Sequence, residues 1–388
     1  MDDVRPASGP PLGVFAAFVL LLAPAVDELC SAGPTVGAPD LRSDLDLSVT
    51  GLFAFGTLIP VIASIVLEPA VLWLADGPWR RTILLASAAA WSLGYLTCAA
   101  APGPWVLAAG LSATFIAGGI ALGVARASLV AASPDVEQAL ARWTLAASVG
   151  DLAGPLALAG IAWLGGGWRA GMVGCGLSVG LWGLAVLRAP VGHAEEDEDG
   201  EGASLWDALQ DRVLLAWLSA VALCTLLDEI FVAGIALYGT EVLGTSLAGA
   251  GLLVACEMAG GVLGLAVFER VGAPARALVP ACGLALAGLV GFVLAPDPVV
   301  AGLCLFVCGM GEGLCYPLTL AAAHRARPGH PGQVEALSEA FLPVELVFPI
   351  GFGLLADRFG LGVALLGLGL QPVGIALVAL AARRRRVE

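Results

Sequence analysis

Nine carboxylates lie inside long apolar stretches of this sequence: Asp27, Glu28, Glu68, Asp151, Asp228, Glu229, Glu257, Glu312 and Glu345. A charged group in hydrocarbon is costly, so each is by default a functional residue. A water-accessible site lined by many acids, with Arg126 as the nearest base, attracts cations and repels anions. Crowded carboxyl groups that bind and release protons near neutral pH can trade a proton for a cation. The chemistry these residue types suggest is therefore proton exchange against a cationic substrate.

The acids also recur along the chain. Asp27-Glu28 returns as Asp228-Glu229, 201 positions later. Asp151 stands four residues before Pro155, and Glu345 four before Pro349, 194 positions on. Gly110-Leu111 and Gly119 return as Gly302-Leu303 and Gly311. Duplicated halves with a site at their interface are a common plan of transporters. On it, Asp27 and Asp228 are expected at similar heights. Adjacent acids point about 100° apart around a helix, so one of each pair is expected to pack against a neighbouring helix. The competing reading is structural: Asp27 and Asp228 bonding helix ends or hydroxyls, and Glu68 bonding backbone freed by Pro69.

Cys224 lies four residues before Asp228 and Cys308 four before Glu312, so each pair shares a helix face. Thiolate with carboxylate could suit zinc or iron. But such metals usually recruit imidazole, and His193, His324 and His330 are all expected in loops outside the spans, so no metal site is assigned. The nine cysteines show no paired loop framework, and read as small apolar packers.

The elements that position these groups follow from composition. Of 388 residues, 59% are hydrophobic and 13% charged, with a mean hydropathy of +0.92; a soluble domain carries roughly a quarter charged residues. Spans of about 20 apolar residues are the expected unit. They are read at 12–32, 48–75, 82–101, 105–126, 143–165, 170–188, 213–237, 246–268, 277–295, 299–323, 336–356 and 361–382. The fold class is an all-α membrane protein of about twelve spans. Asp27 and Glu28 interrupt the first apolar stretch, which reads as a span rather than a signal peptide. With both termini cytoplasmic, fifteen of the eighteen Arg fall inside and only Arg42, Arg169 and Arg358 outside, as the positive-inside rule requires.

The spans divide into bundles at 1–188 and 213–388, joined by an acidic cytoplasmic linker at 189–212, where Ser204 and Asp207 read as a helix cap. Net charge is −14 without a basic face, which excludes nucleic acid as a partner. No nucleophile–base pair or H-E-x-x-H helix is present, so neither an enzyme nor a cofactor is expected.

Leu74-Ala75-Asp76-Gly77-Pro78-Trp79-Arg80-Arg81 resembles the G-x-x-x-D-R-x-G-R-R loop of the major facilitator superfamily. Asp76 and the Arg80-Arg81 pair are kept, while Gly77 and Trp79 replace a base and a glycine. Glu269-Arg270-Val271-Gly272 to Arg276 is a more degenerate counterpart. Gly150-x-x-x-Gly154-Pro155-x-x-x-x-Gly160 resembles a motif of exporters, with its last glycine displaced, and Trp168-Arg169 resembles another loop of the family. The resemblance spans the whole chain. It implies two six-helix bundles around a central cavity, with spans three, six, nine and twelve peripheral; those four carry none of the nine acids. It also implies a conformational latch at Asp76, Arg80, Arg81 and Arg126, and packing and bending at Gly150, Gly154 and Pro155.

The expected function is proton-coupled export of a cationic or amphipathic small molecule by alternating access, in a monomer of the inner or plasma membrane whose partners are substrate, protons and the lipid bilayer. The alternatives are an uptake symporter, a divalent metal transporter and, last, a non-transporting receptor or scaffold.

Overall fold

A computed structural model describes residues 13–75, 79–131, 136–189, 210–271, 274–326, 334 and 346–384. Every regular element among them is a helix, because only helices satisfy the backbone of an isolated apolar segment from within. Among the described residues, ten helical stretches, some of them interrupted, are long and apolar enough to cross a membrane, and Ala277–Val293 is a shorter apolar helix. Asp76, Glu345 and most of the acidic linker lie outside the described residues.

The chain forms two compact units. Unit 1 comprises Met1–Asp46 and Ala54–Asp199; unit 2 comprises Leu47–Phe53 and Gly200–Glu388. The helices of unit 1 are α1 (Val14–Val36), α2 (Ala38–Asp44), α4 (Ile59–Ala75), α5 (Arg80–Ala99), α6 (Pro104–Ala131), α7 (Val136–Trp163) and α8 (Trp168–Val186). Those of unit 2 are α3 (Val49–Phe53), α9 (Arg212–Leu223), α10 (Glu229–Glu241), α11 (Leu247–Val271), α12 (Pro274–Val293), α13 (Pro298–Glu312), α14 (Cys315–Ala326), α15 (Val347–Phe359), α16 (Leu361–Gly367) and α17 (Leu370–Arg384).

In unit 1, α1 packs on α7 and α8, and α5 on α6 and α8. Helix α1 runs through Pro24 and Pro34 without ending. Pro34 has no N–H, which frees the Cys30 carbonyl four residues back. The Cys175 thiol of α8 donates to that carbonyl at 3.6 Å, and the Cys30 thiol donates to the Cys175 carbonyl at 3.7 Å. Neighbouring side chains commonly re-satisfy backbone in this way inside a membrane. At one end, Asp44 accepts hydrogen bonds from the Trp168 indole at 3.2 Å and from Arg169 Nη2 at 2.8 Å. Arg169 Nη1 donates to the Ala99 carbonyl at 2.8 Å, so Trp168-Arg169 ties α2 and α5 to the start of α8.

In unit 2, α13 packs closely on α11 and α12. A Cβ on Gly309 would run into the Glu257 carbonyl oxygen, so only glycine allows this approach. Trp217, Leu318 and Ile375 belong to a buried core shared by α9, α12, α14 and α17. Asp211 accepts from the Val213 and Leu214 amides and caps the start of span seven.

Four spans are less regular than the hydropathy suggests. Span two begins as α3 in unit 2, passes through a π-helical turn at Ala54–Leu58, and continues as α4 in unit 1. Within unit 2, Asp357 Oδ1 and Oδ2 accept from the Val49 and Thr50 amides, each at 2.9 Å. A Cβ on Gly353 would lie 2.6 Å from the Thr50 Cα, and Phe53 meets Phe352 edge-on with ring centroids 5.4 Å apart. Span seven narrows to a 3-10 turn at Cys224–Leu227 and breaks at Asp228. Span ten breaks at Gly313-Leu314 and span twelve at Leu368-Gly369. The counterparts of spans seven and ten in unit 1, α1 and α6, are continuous.

Candidate functional site

Each unit carries its own group of acids. In unit 1, Asp27 and Glu28 of α1 and Asp151 of α7 come together, all half-buried. Glu28 hydrogen-bonds Asp151, and Asp27 lies within charge-interaction range of it. A hydrogen bond between two carboxyl groups requires a proton on one of them. Backbone packing holds these acids in place. A Cβ on Gly150 would run into the Ala25 carbonyl oxygen, and one on Gly154 would lie 2.8 Å from that of Leu29. The Gly150-x-x-x-Gly154 pair is therefore the contact of α7 with α1, as small residues permit in membranes, and Pro155 lies buried inside α7.

Glu68 stands apart from that group. The Ser64 hydroxyl donates to its Oε2 at 2.6 Å, and its carboxyl group lies against Gly119 of α6.

In unit 2 three of the described acids sit at helix breaks. Asp228 and Glu229 are exposed where span seven breaks, and Glu312 is the last residue of α13 where span ten breaks. Glu257 of α11 is only 3% exposed. Cys308 lies within charge-interaction range of Glu257 and Glu312, and Cys224 within range of Glu312, Cys282 and Asp228. These acids therefore gather about the two breaks. The Thr319 hydroxyl, donating to the Cys315 carbonyl at 2.7 Å, lies 3.7 Å from the Cys224 thiol and links the two broken spans. Discontinuous helices expose backbone groups to a cavity, and in transporters they mark ion and substrate sites.

Gln371 is an uncharged residue of this site. It is fully buried at the start of α17, in a span without acids. Its Oε1 accepts from the Leu227 amide at 2.7 Å. In an uninterrupted helix that amide would bond the Leu223 carbonyl. Because an N–H must meet the oxygen, the orientation of the side-chain amide is fixed, and its Nε2 is left buried without a hydrogen-bond partner among the described residues. One net hydrogen bond returns about 1 kcal/mol, whereas an unfilled buried donor costs roughly 1–3. As a contribution to stability Gln371 is neutral at best. The signal in the sequence is a lone amide in an otherwise apolar span.

Of the residues expected to form a latch, Arg80 is buried, and Arg81 and Arg126 are exposed. Arg81 Nη2 donates to the Leu187 carbonyl at 2.9 Å, at the C-terminal end of α8. Among the described residues, no three or more His, Cys, Asp or Glu side chains are grouped to hold a metal ion.

Residues 14–342 match the profile of the Major Facilitator Superfamily. No curated protein matches the sequence. The fold is similar to that of a bacterial homologue of the human lysosomal transporter Spinster, in an inward-facing and occupied conformation. The two share 14% identity over 97% of this chain and 98% of that one, with a TM-score of 0.76. It is also similar to the peptide transporter POT in complex with sulfate (TM-score 0.74, 14% identity, 99% and 98% covered) and to the nucleoside transporter NupG (TM-score 0.72, 11% identity, 94% and 98% covered). At these identities the likeness is one of fold.

Proposed function

The chain belongs to the major facilitator superfamily of membrane transporters, and we propose that within it the protein exports a cationic or amphipathic small molecule in exchange for protons. The observation that carries this reading is the gathering of carboxyl groups: Asp27, Glu28 and Asp151 in unit 1, and Asp228, Glu229, Glu257 and Glu312 about the breaks in unit 2. Acids at such sites favour cations. A carboxyl pair bridged by one hydrogen bond, as Glu28 and Asp151 are, is suited to gaining and losing a proton during a cycle. Glu345, four residues before Pro349, and Glu68 belong to the same set.

The cycle is alternating access in a monomer, with bundles 1–188 and 213–388 as its moving bodies and Asp76, Arg80, Arg81 and Arg126 as a cytoplasmic latch. Both termini are placed in the cytoplasm by the distribution of Arg. Export rather than uptake rests on the likeness of the Gly150–Pro155 segment to a motif of exporters.

The test is transport by proteoliposomes under an imposed pH gradient, with cationic dyes, polyamines and divalent metals as probes. Substrate-dependent proton movement that disappears in Asp27→Asn and Asp228→Asn is expected. Wild-type proton movement in both variants would sink the coupling role of these acids. Transport confined to divalent metals would replace the organic substrate.

A further inference from the structure

We propose that Gln371 is a positioning residue for the Asp228-Glu229 pair: it holds span seven open at Asp228 by taking the Leu227 amide proton away from the helix. The inference rests on the reading of Asp228 as a coupling residue, and extends it to a residue that carries no charge and lies in a span without acids.

Three observations converge. Leu227 is the last residue of the 3-10 turn, and its amide donates to Gln371 Oε1 at 2.7 Å. Asp228, the next residue, has φ −128° and ψ −131°, and α10 starts directly after it with the Val232 amide bonding the Asp228 carbonyl at 3.0 Å. The break is therefore one residue long, and the tether to Gln371 adjoins it. Finally, Gln371 is fully buried and its Nε2 has no hydrogen-bond partner among the described residues. An apolar side chain of similar volume would fill the same space without an unfilled donor, so packing does not explain the amide, and its acceptor oxygen does.

Span twelve is itself interrupted at Leu368-Gly369, and the backbone N–H of Gln371 donates to the Leu368 carbonyl at 3.1 Å. The residue that tethers span seven thus stands on the first turn after a break in its own span, so the two interruptions are connected through one side chain. In unit 1, Asp27 lies inside continuous α1 and has no equivalent arrangement. This is where the two halves of the repeat differ most in the presentation of the same Asp-Glu pair.

The experiment uses the full chain in liposomes and needs no knowledge of the substrate. A hydrophobic carbodiimide labels accessible protonated carboxyl groups, and peptide mass spectrometry reads Asp228 and Glu229 against Asp151 as an internal control. Backbone hydrogen exchange is followed across Cys224–Leu227. The variants are Gln371→Met, which keeps volume and loses the acceptor; Gln371→Asn, one methylene too short; and Gln371→Glu, which keeps an acceptor at the same reach.

In Met and Asn, exchange across the turn is expected to rise and labelling of Asp228 to fall several-fold, with Asp151 unchanged and Glu restoring the wild-type pattern. Proton-coupled transport should fall between about tenfold and a hundredfold, the cost of a displaced reacting group, and recover in Glu. Labelling and exchange unchanged in Met and Asn would overturn the proposal, as would equal loss in Met, Asn and Glu, which marks a merely structural residue. Should Met fail to fold, the contrast between Asn and Glu decides. Failure of the coupling reading appears separately, as wild-type proton movement in Asp228→Asn, and leaves the labelling result intact.

Discussion

The carboxyl group of Glu68 occupies the space that a side chain on Gly119 would need: a Cβ there would lie 2.5 Å from both Oε1 and Oε2. The carboxyl group is the free end of a flexible chain, so Gly119→Ala turns it away rather than forcing α4 and α6 apart. The 2.6 Å bond from Ser64 is lost with it. The expected cost is about 1 kcal/mol, that of one net hydrogen bond. Ser64→Ala should cost the same, and the double variant no more than the larger single one, because both remove one contact. Thermal unfolding of the three variants checks the cycle; additive losses would mean Glu68 is held by something else.

The contact between α1 and α7 is backbone against backbone and has no such escape. Gly150→Ala places a methyl on the Ala25 carbonyl, and Gly154→Ala places one 2.8 Å from that of Leu29. Each is expected to lower stability by about 1–3 kcal/mol. Gly160 has nothing within 4 Å of a Cβ, so Gly160→Ala should be neutral, or stabilising by roughly 0.5–1 kcal/mol as alanine replaces glycine in a helix. Melting temperatures of the three variants give the order directly.

Proline and thiol form a testable pair in α1. Cys175→Ala removes the donor from the Cys30 carbonyl that Pro34 leaves free, at a cost of no more than about 1 kcal/mol. Pro34→Ala supplies an amide for that carbonyl, and in its presence Cys175→Ala should cost less. A double-variant cycle on unfolding free energy that shows no coupling would contradict the pairing.

Two aspartates outside the spans respond to acid in opposite directions. Burial pushes Asp357 up, but hydrogen bonds from the Thr50 and Val49 amides, with Ser48 beside them, outweigh it and hold it below the ordinary 3.8. Its contribution to stability is present above that ordinary value and is lost as pH falls through the depressed one. Burial, with repulsion from Asp44, raises Asp40 above 3.8 against a bond from the Trp168 backbone. Ionising Asp40 opposes folding, so its penalty is present at neutral pH and disappears on acidification. At pH 7, Asp357→Ala should therefore cost about 1 kcal/mol, the usual value of a helix cap, and Asp40→Asn should stabilise. Melting curves from pH 3 to 7, an interval chosen to bracket carboxylate titration at about 4, should reach wild type at the acidic end for Asp40→Asn and draw towards it for Asp357→Ala.

Hydropathy made the spans readable, since an apolar run long enough to cross a bilayer has few alternatives to a helix. The glycines of α7 were readable for a similar reason: Gly150 and Gly154 lie one turn apart and can form only one kind of surface. The breaks were not. Asp228, Gly313-Leu314 and Leu368-Gly369 carry no proline, whereas Pro24, Pro34 and Pro155 all lie inside helices that continue. Whether a membrane helix stops depends on partners elsewhere in the chain, as the Leu227 amide does on Gln371 144 residues away, and local sequence does not encode that. The recurrence of Asp-Glu 201 positions apart suggested equivalent surroundings for Asp27 and Asp228. One lies within a continuous helix, and the other at the start of one, next to an amide that bonds a neighbouring span.

The membership of Leu47–Phe53 in unit 2 bears on how this protein can be divided. A cut in the central linker looks like the natural place to separate the halves for fragment complementation or for swapping bundles between relatives. A C-terminal fragment made that way would lack the seven residues that cover Gly353 and Phe352 and bond Asp357. Any exchangeable C-terminal cassette would have to bring along the opening of span two. The genetic boundary between the repeats and the boundary of the folded bodies thus fall in different places.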